Sequence, residues 1–140
     1  MTSGARPLIL LIAALCLTGC AVIQPAARPE PSGNTAVQAL LNKAHGQASA
    51  GRMEDAGASL ERALRIEPRN PVLWQELARV RLNQGQYRQA ENLAAKSNAL
   101  AGGNRYLQAE NWRVIGEACN RRGDLEDARA AFKKAEEQAP

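Results

Sequence analysis

A chain of 140 residues has room for one domain, and 45% hydrophobic residues with only 4% aromatic ones require a core built from Ala and Leu, as in stacked helices. The net charge of +4 is a mild excess, scattered along the chain with few aromatics between the cations, which speaks against a nucleic-acid surface.

Met1 to Arg6 carries one positive charge and is followed by the apolar run Pro7 to Cys16, which is short for a membrane span and suits a signal-peptide core. The run ends in Leu17-Thr18-Gly19-Cys20, which resembles a bacterial lipobox. That resemblance implies a signal peptide over residues 1–19 and a mature protein beginning at a lipidated Cys20. An ordinary secretory signal or a short uncleaved anchor would be the other readings. Ala21 follows the cysteine, where Asp is the best-known retention signal of the inner membrane in enteric bacteria. By the same resemblance the destination is the periplasmic face of the outer membrane. On that reading Cys16 leaves with the signal and Cys20 is acylated, so Cys119 stands alone and no internal disulfide is expected.

Residues 20–34 hold Pro25, Pro29, Pro31 and Gly33 with no apolar periodicity, and read as a lipid-bearing tether. At about 3.1 Å per residue, Ala21 to Asn34 reaches roughly 40 Å at most, so the body would swivel near the membrane. The folded domain is expected over 35–140.

Six helices are predicted. The first runs from Thr35 to Ala50, with Val37, Leu40, Leu41, Ala44 and Ala48 on one face, although Lys43 and Gln47 stand where packing residues are wanted. The second, Met53 to Ile66, buries Met53, Ala56, Leu60, Ala63 and Leu64 before Glu67-Pro68 ends it. Asn70 is a good N-cap and Pro71 suits a first turn, so the third runs from Pro71 to Gln84, and the fourth from Tyr87 to Leu100. Gly102-Gly103 stops the fourth, and the fifth, from Asn104 to Arg122, is long enough for Tyr106 and Leu107 to protrude. The sixth spans Asp124 to Gln138, with Leu125, Ala128, Ala131, Phe132 and Ala135 as its buried stripe.

The units copy one another. A shift of 34 residues toward the N-terminus lands Gly85 on Gly51 and Ala90 on Ala56, while a shift of 38 the other way lands Trp74 on Trp112 and Gly85 on Gly123. The pattern Trp-x2-Leu-Ala, Gly-x-Tyr-x2-Ala and a closing Pro resembles the tetratricopeptide repeat. It implies an all-α solenoid of three helix-turn-helix repeats, at about 37–70, 71–104 and 109–140. A second resemblance rests on Tyr87, Ala90, Glu91, Leu93, Ala94, Lys96, Ser97, Asn98, Leu100, Ala101, Asn111, Trp112 and Ile115, which are similar to the LpoP-type activators of class A penicillin-binding proteins.

Catalysis is not expected. His45 and Cys119 form no metal set or nucleophilic pair, and Glu54-Asp55 and Glu136-Glu137 lie near helix ends as surface charge. No cofactor is expected beyond the lipid on Cys20. The repeat resemblance implies binding through a concave groove lined by the first helix of each unit. Its ligand positions correspond to Leu41 and His45 in the first copy, and to Gln75, Arg79, Leu82 and Asn83 in the second. The third supplies Arg113, Glu117, Asn120 and Arg121. Leu41, Val72 and Leu82 would give an apolar floor, and Arg79, Arg113 and Arg121 would give cationic forks for carboxylates. The implied partner is a protein, a class A penicillin-binding protein by the second resemblance. Membrane contact would run through the lipid, with no nucleic acid and no metal. A pilotin for a secretin or pilus system, or a generic scaffold, are the alternatives.

Overall fold

Asparagine starts every odd-numbered helix and glycine ends it. The computed structural model describes residues 28–139, which form α1 Thr35–Ser49, α2 Met53–Ile66, α3 Pro71–Asn83, α4 Tyr87–Leu100, α5 Arg105–Arg122 and α6 Leu125–Gln138. The segment expected to be a signal peptide, Cys20 and the first part of the expected tether lie outside the described residues. The side chains of Asn34, Asn70 and Asn104 accept hydrogen bonds from backbone N–H groups in the first turns of α1, α3 and α5, which the helices themselves leave unpaired. At the other end Gly51, Gly85 and Gly123 take positive φ, and the next N–H turns back to Gln47, Arg81 and Cys119. This closure satisfies the last carbonyls and reverses the chain within each repeat, so α1–α2, α3–α4 and α5–α6 are antiparallel pairs. Every helix end lies within one residue of its predicted position.

The core comes in two large blocks and a small third one. Val37, Leu41, Leu60, Leu73 and Leu77 fill the space among α1, α2 and α3. The second block is nearly all small: Ala78, Ala90, Ala94, Ala118, Ala128 and Ala131 surround Val114, Ile115 and Cys119. Alanine on facing helices lets their axes approach, which is how so few aromatics suffice. Gln47 is buried as well, its carbonyl accepting a 2.7 Å hydrogen bond from Ser59, so the irregular residue of the first repeat is satisfied.

Three expectations change. Leu107 does not protrude; it is buried with Val72 and Ala101 at the α4–α5 corner. Leu125 and Phe132 are on the surface, Leu125 being 54% exposed, because none of the described helices packs over that side of α6. Phe132 lies across Gly116, where a Cβ would come within 2.7 Å of its ring. Finally, residues 28–34 do not behave as a loose tether, since Arg28, Pro31, Ser32 and Asn34 make hydrogen bonds, the first three reaching Tyr106, Asn70 and Glu67 on the helical body.

Candidate protein-binding groove

On one face α3 packs beside α5, and α1 meets α3 across the cleft that His45 and Glu76 share. On α1, His45 projects toward α3, where its Nε2 lies 3.2 Å from Oε2 of Glu76. One turn further along α3, Arg79 is exposed and has no carboxylate within ion-pair distance among the described residues. These side chains, with Ser49 and Asn83, border an open cleft of about 360 Å³ between α1 and α3. A smaller cleft of about 180 Å³ lies between α3 and α5, bordered by Val72, Gln75, Tyr106 and Glu110 and, from the N-terminal segment, by Pro29 and Pro31.

Of the residues expected in a groove, the structure brings His45, Arg79 and Asn83 to the first cleft and Gln75 to the second. Leu82, Asn83, Glu117 and Arg121 border a third, polar hollow beside the α3–α4 turn. Two of the three cationic forks are engaged within their own helix: Arg113 by Glu110, and Arg121 by Glu117, to which its Nε donates at 2.7 Å. Asn120 is exposed but borders none of these clefts. Leu41 is a correction. It is 4% exposed and belongs to the core against α2 and α3, so it cannot be groove floor. Family register says which helix a position lies on; whether its side chain is covered depends on how neighbours pack.

Sequence reasoning passed over Glu76, Tyr106 and Arg28. Arg28 donates through Nε and Nη2 to the Tyr106 hydroxyl at 3.1 and 2.8 Å, and its guanidinium lies 5.5 Å from the ring centroid. Nothing local announces these pairs, because His45 and Glu76 are 31 positions apart and Arg28 and Tyr106 are 78 apart.

The perturbed titrating groups lean away from chemistry. Burial pushes the Cys119 thiol up, and hydrogen bonds to Glu117 and Asp124 hold Arg121 and Arg122 above the ordinary guanidinium range. A protonated thiol and reinforced cations are the reverse of an activated nucleophile or base. The conspicuous tryptophans are structural: Trp74 donates to the Pro68 carbonyl at 2.9 Å, and the Trp112 ring carries the Lys134 ammonium 4.3 Å from its centroid. Among the described residues no three His, Cys, Asp or Glu side chains are grouped to hold a metal, and no helix is long and apolar enough to cross a membrane.

A tetratricopeptide-repeat family model matches residues 47–110. No curated protein matches the sequence. Among solved structures, the globular C-terminal domain of P. aeruginosa LpoP is 41% identical, with a TM-score of 0.73, over 75% of this chain and 99% of that one. The second TPR of Spaghetti (RPAP3), solved with the HSP90 peptide SRMEEVD, is 19% identical with a TM-score of 0.66, covering 74% of this chain and 93% of that one, and shows the fold alone. With six helices of the repeat type and identity at that level across nearly the whole of the LpoP domain, the chain belongs to the LpoP-like tetratricopeptide-repeat proteins and is a non-catalytic protein-binding module.

Proposed function

We propose that this protein is held at the periplasmic face of the outer membrane by a lipid on Cys20 and activates a class A penicillin-binding protein by direct binding along the groove of its odd helices. The observation that carries the reading is the 41% identity to the LpoP domain over 99% of that domain, joined to a lipobox-like Leu17-Thr18-Gly19-Cys20. Activation without catalysis requires that the module bind the working conformation of the synthase more tightly than the resting one, each tenfold preference being worth about 1.4 kcal/mol. Arg79, which has no carboxylate partner among the described residues and lies beside the His45–Glu76 pair, suits a carboxylate on an extended partner segment.

The test is periplasmic crosslinking of the tagged, lipidated protein in its native cell, with identification of what is captured. Capture of a class A synthase by the wild type, lost in Arg79→Glu plus Arg113→Glu, supports the reading. Capture of a secretin or pilus component instead overturns it in favour of an assembly role. Capture that persists after charge reversal shows that another face binds. Cys20→Ala is expected to release the protein from the membrane fraction.

A further inference from the structure

The segment Arg28-Pro29-Glu30-Pro31-Ser32-Gly33 lies on the face to which the groove belongs, and its contacts have the pattern of a bound peptide. At its amino end the Arg28 guanidinium donates twice to the Tyr106 hydroxyl on α5. In its middle, Pro29 and Pro31 border the same cleft as Val72 and Gln75 of α3. Further along, the Pro31 carbonyl accepts from Asn70 at 2.6 Å, the Ser32 hydroxyl donates to Glu67 at 2.6 Å, and the Ser32 carbonyl accepts from Gln38 at 2.7 Å. A cationic anchor, an apolar centre and carbonyls gripped by side-chain amides are what an extended ligand presents to such a surface. Alternate prolines limit the segment's freedom before it docks, which lowers the entropy lost on docking.

We infer that residues 28–33 are an intramolecular ligand of the groove, and that a partner entering the groove displaces them and thereby lengthens the tether. The second half rests on the groove reading above. Arg28 borders both the α1–α3 and the α3–α5 clefts, so a segment laid along the groove meets it. The docked state is suited to displacement: the Arg28 hydrogen bonds are exposed and contribute little net, while ordering the segment costs conformational entropy. Covalent linkage offsets that weakness by supplying an effective concentration in the millimolar range. Undocked, the six residues add roughly 20 Å of reach at about 3.1 Å each, so a module bound to its partner stands further from its membrane than a resting one.

The experiment uses the full lipidated chain in detergent micelles and a fluorescent peptide of residues 26–34 added in trans, followed by anisotropy. Replacing residues 28–32 of the chain by Gly and Ser is expected to tighten peptide binding at least tenfold over wild type. Equal affinity, or no binding by a replaced chain that still melts cooperatively, overturns the inference. Should that chain not melt cooperatively, Arg28→Ala carries the test, because it removes only the anchor. A gain of several-fold in peptide affinity supports the inference and no gain overturns it. No synthase takes part in this titration, so its failure is separate from failure of the proposed partner.

Discussion

The Asn70 side chain holds two elements at once: its Oδ1 caps α3 by accepting from the Val72 N–H at 3.0 Å, and its Nδ2 donates to the Pro31 carbonyl at 2.6 Å. Asn70→Asp keeps the capping oxygen but turns a second oxygen on the Pro31 carbonyl and on Glu67, which also accepts from Nδ2. Residues 28–34 are therefore expected to loosen without loss of α3. Amide exchange at Asn34, whose N–H donates to Ser32, should rise about tenfold, while helix content by circular dichroism stays constant. Asn70→Ala removes all three bonds and should cost about 1 kcal/mol or more in urea denaturation.

Ser97 and Asn111 are expected to behave as one unit. Ser97 donates to the Pro71 carbonyl and accepts from Asn111 Nδ2, both at 2.8 Å, and Asn111 is fully buried. Asn111→Ala leaves a cavity and an unsatisfied neighbour, for about 2–3 kcal/mol in urea unfolding. Ser97→Ala should cost about 1–2 kcal/mol, and the double variant less than the two together, since each single change already breaks the link joining α3, α4 and α5.

Gly116 and Phe132 should reverse each other's sign. A Cβ at Gly116 would meet the Phe132 ring at 2.7 Å, which in a packed site costs about 1–3 kcal/mol, against a helix-propensity gain of about 1 kcal/mol for Ala over Gly. Gly116→Ala is thus expected to be neutral to destabilising in wild type and stabilising by about 1 kcal/mol in a Phe132→Ala background. Thermal melts of the four proteins measure the coupling.

Arg81 is buried between repeats, with Nη2 at 2.5 Å from Glu61 and Nη1 at 2.8 Å from Gln84, and it fills the space over Gly57. Its stem counts for more than its charge. Arg81→Ala should cost about 2 kcal/mol, whereas Glu61→Ala, at a side chain 47% exposed, should cost less than about 1 kcal/mol by the same urea titration.

Cys119 gives a pH dependence. Burial raises its thiol above the ordinary range, so the folded state keeps a proton that the unfolded chain releases above about pH 8.5. Its contribution is complete below that pH and declines as pH rises beyond it. Wild type should therefore lose stability relative to Cys119→Ala between pH 8 and 10, and alkylation of the native thiol should be slow until the protein unfolds.

Local signals carried most of the fold. Asn70 announced a helix start and the repeating Gly51, Gly85 and Gly123 marked the break within each unit, while Asn34 and Asn104 prove to be caps of the same kind, because caps and positive-φ closures depend on a few consecutive residues. The 34-residue offset then stacked the pairs in order, since each pair needs a neighbour to bury its apolar face. The motif around Ser97, Asn98, Asn111 and Trp112 that suggested LpoP proves to be internal at Ser97 and Asn111, which tie helices together.

Coverage and pairing were decided elsewhere. Periodicity tells which residues share a face, but not what lies against it, so Leu41 ended in the core while Leu125 and Phe132 ended outside. His45 met Glu76 because α1 meets α3 across one cleft, a fact no 15-residue window contains. Residues 28–34 lack periodicity and read by composition as tether. Their attachment comes from side chains brought in from the ends of α2, α3 and α5, and only the folded stack assembles those ends beside the N-terminal segment.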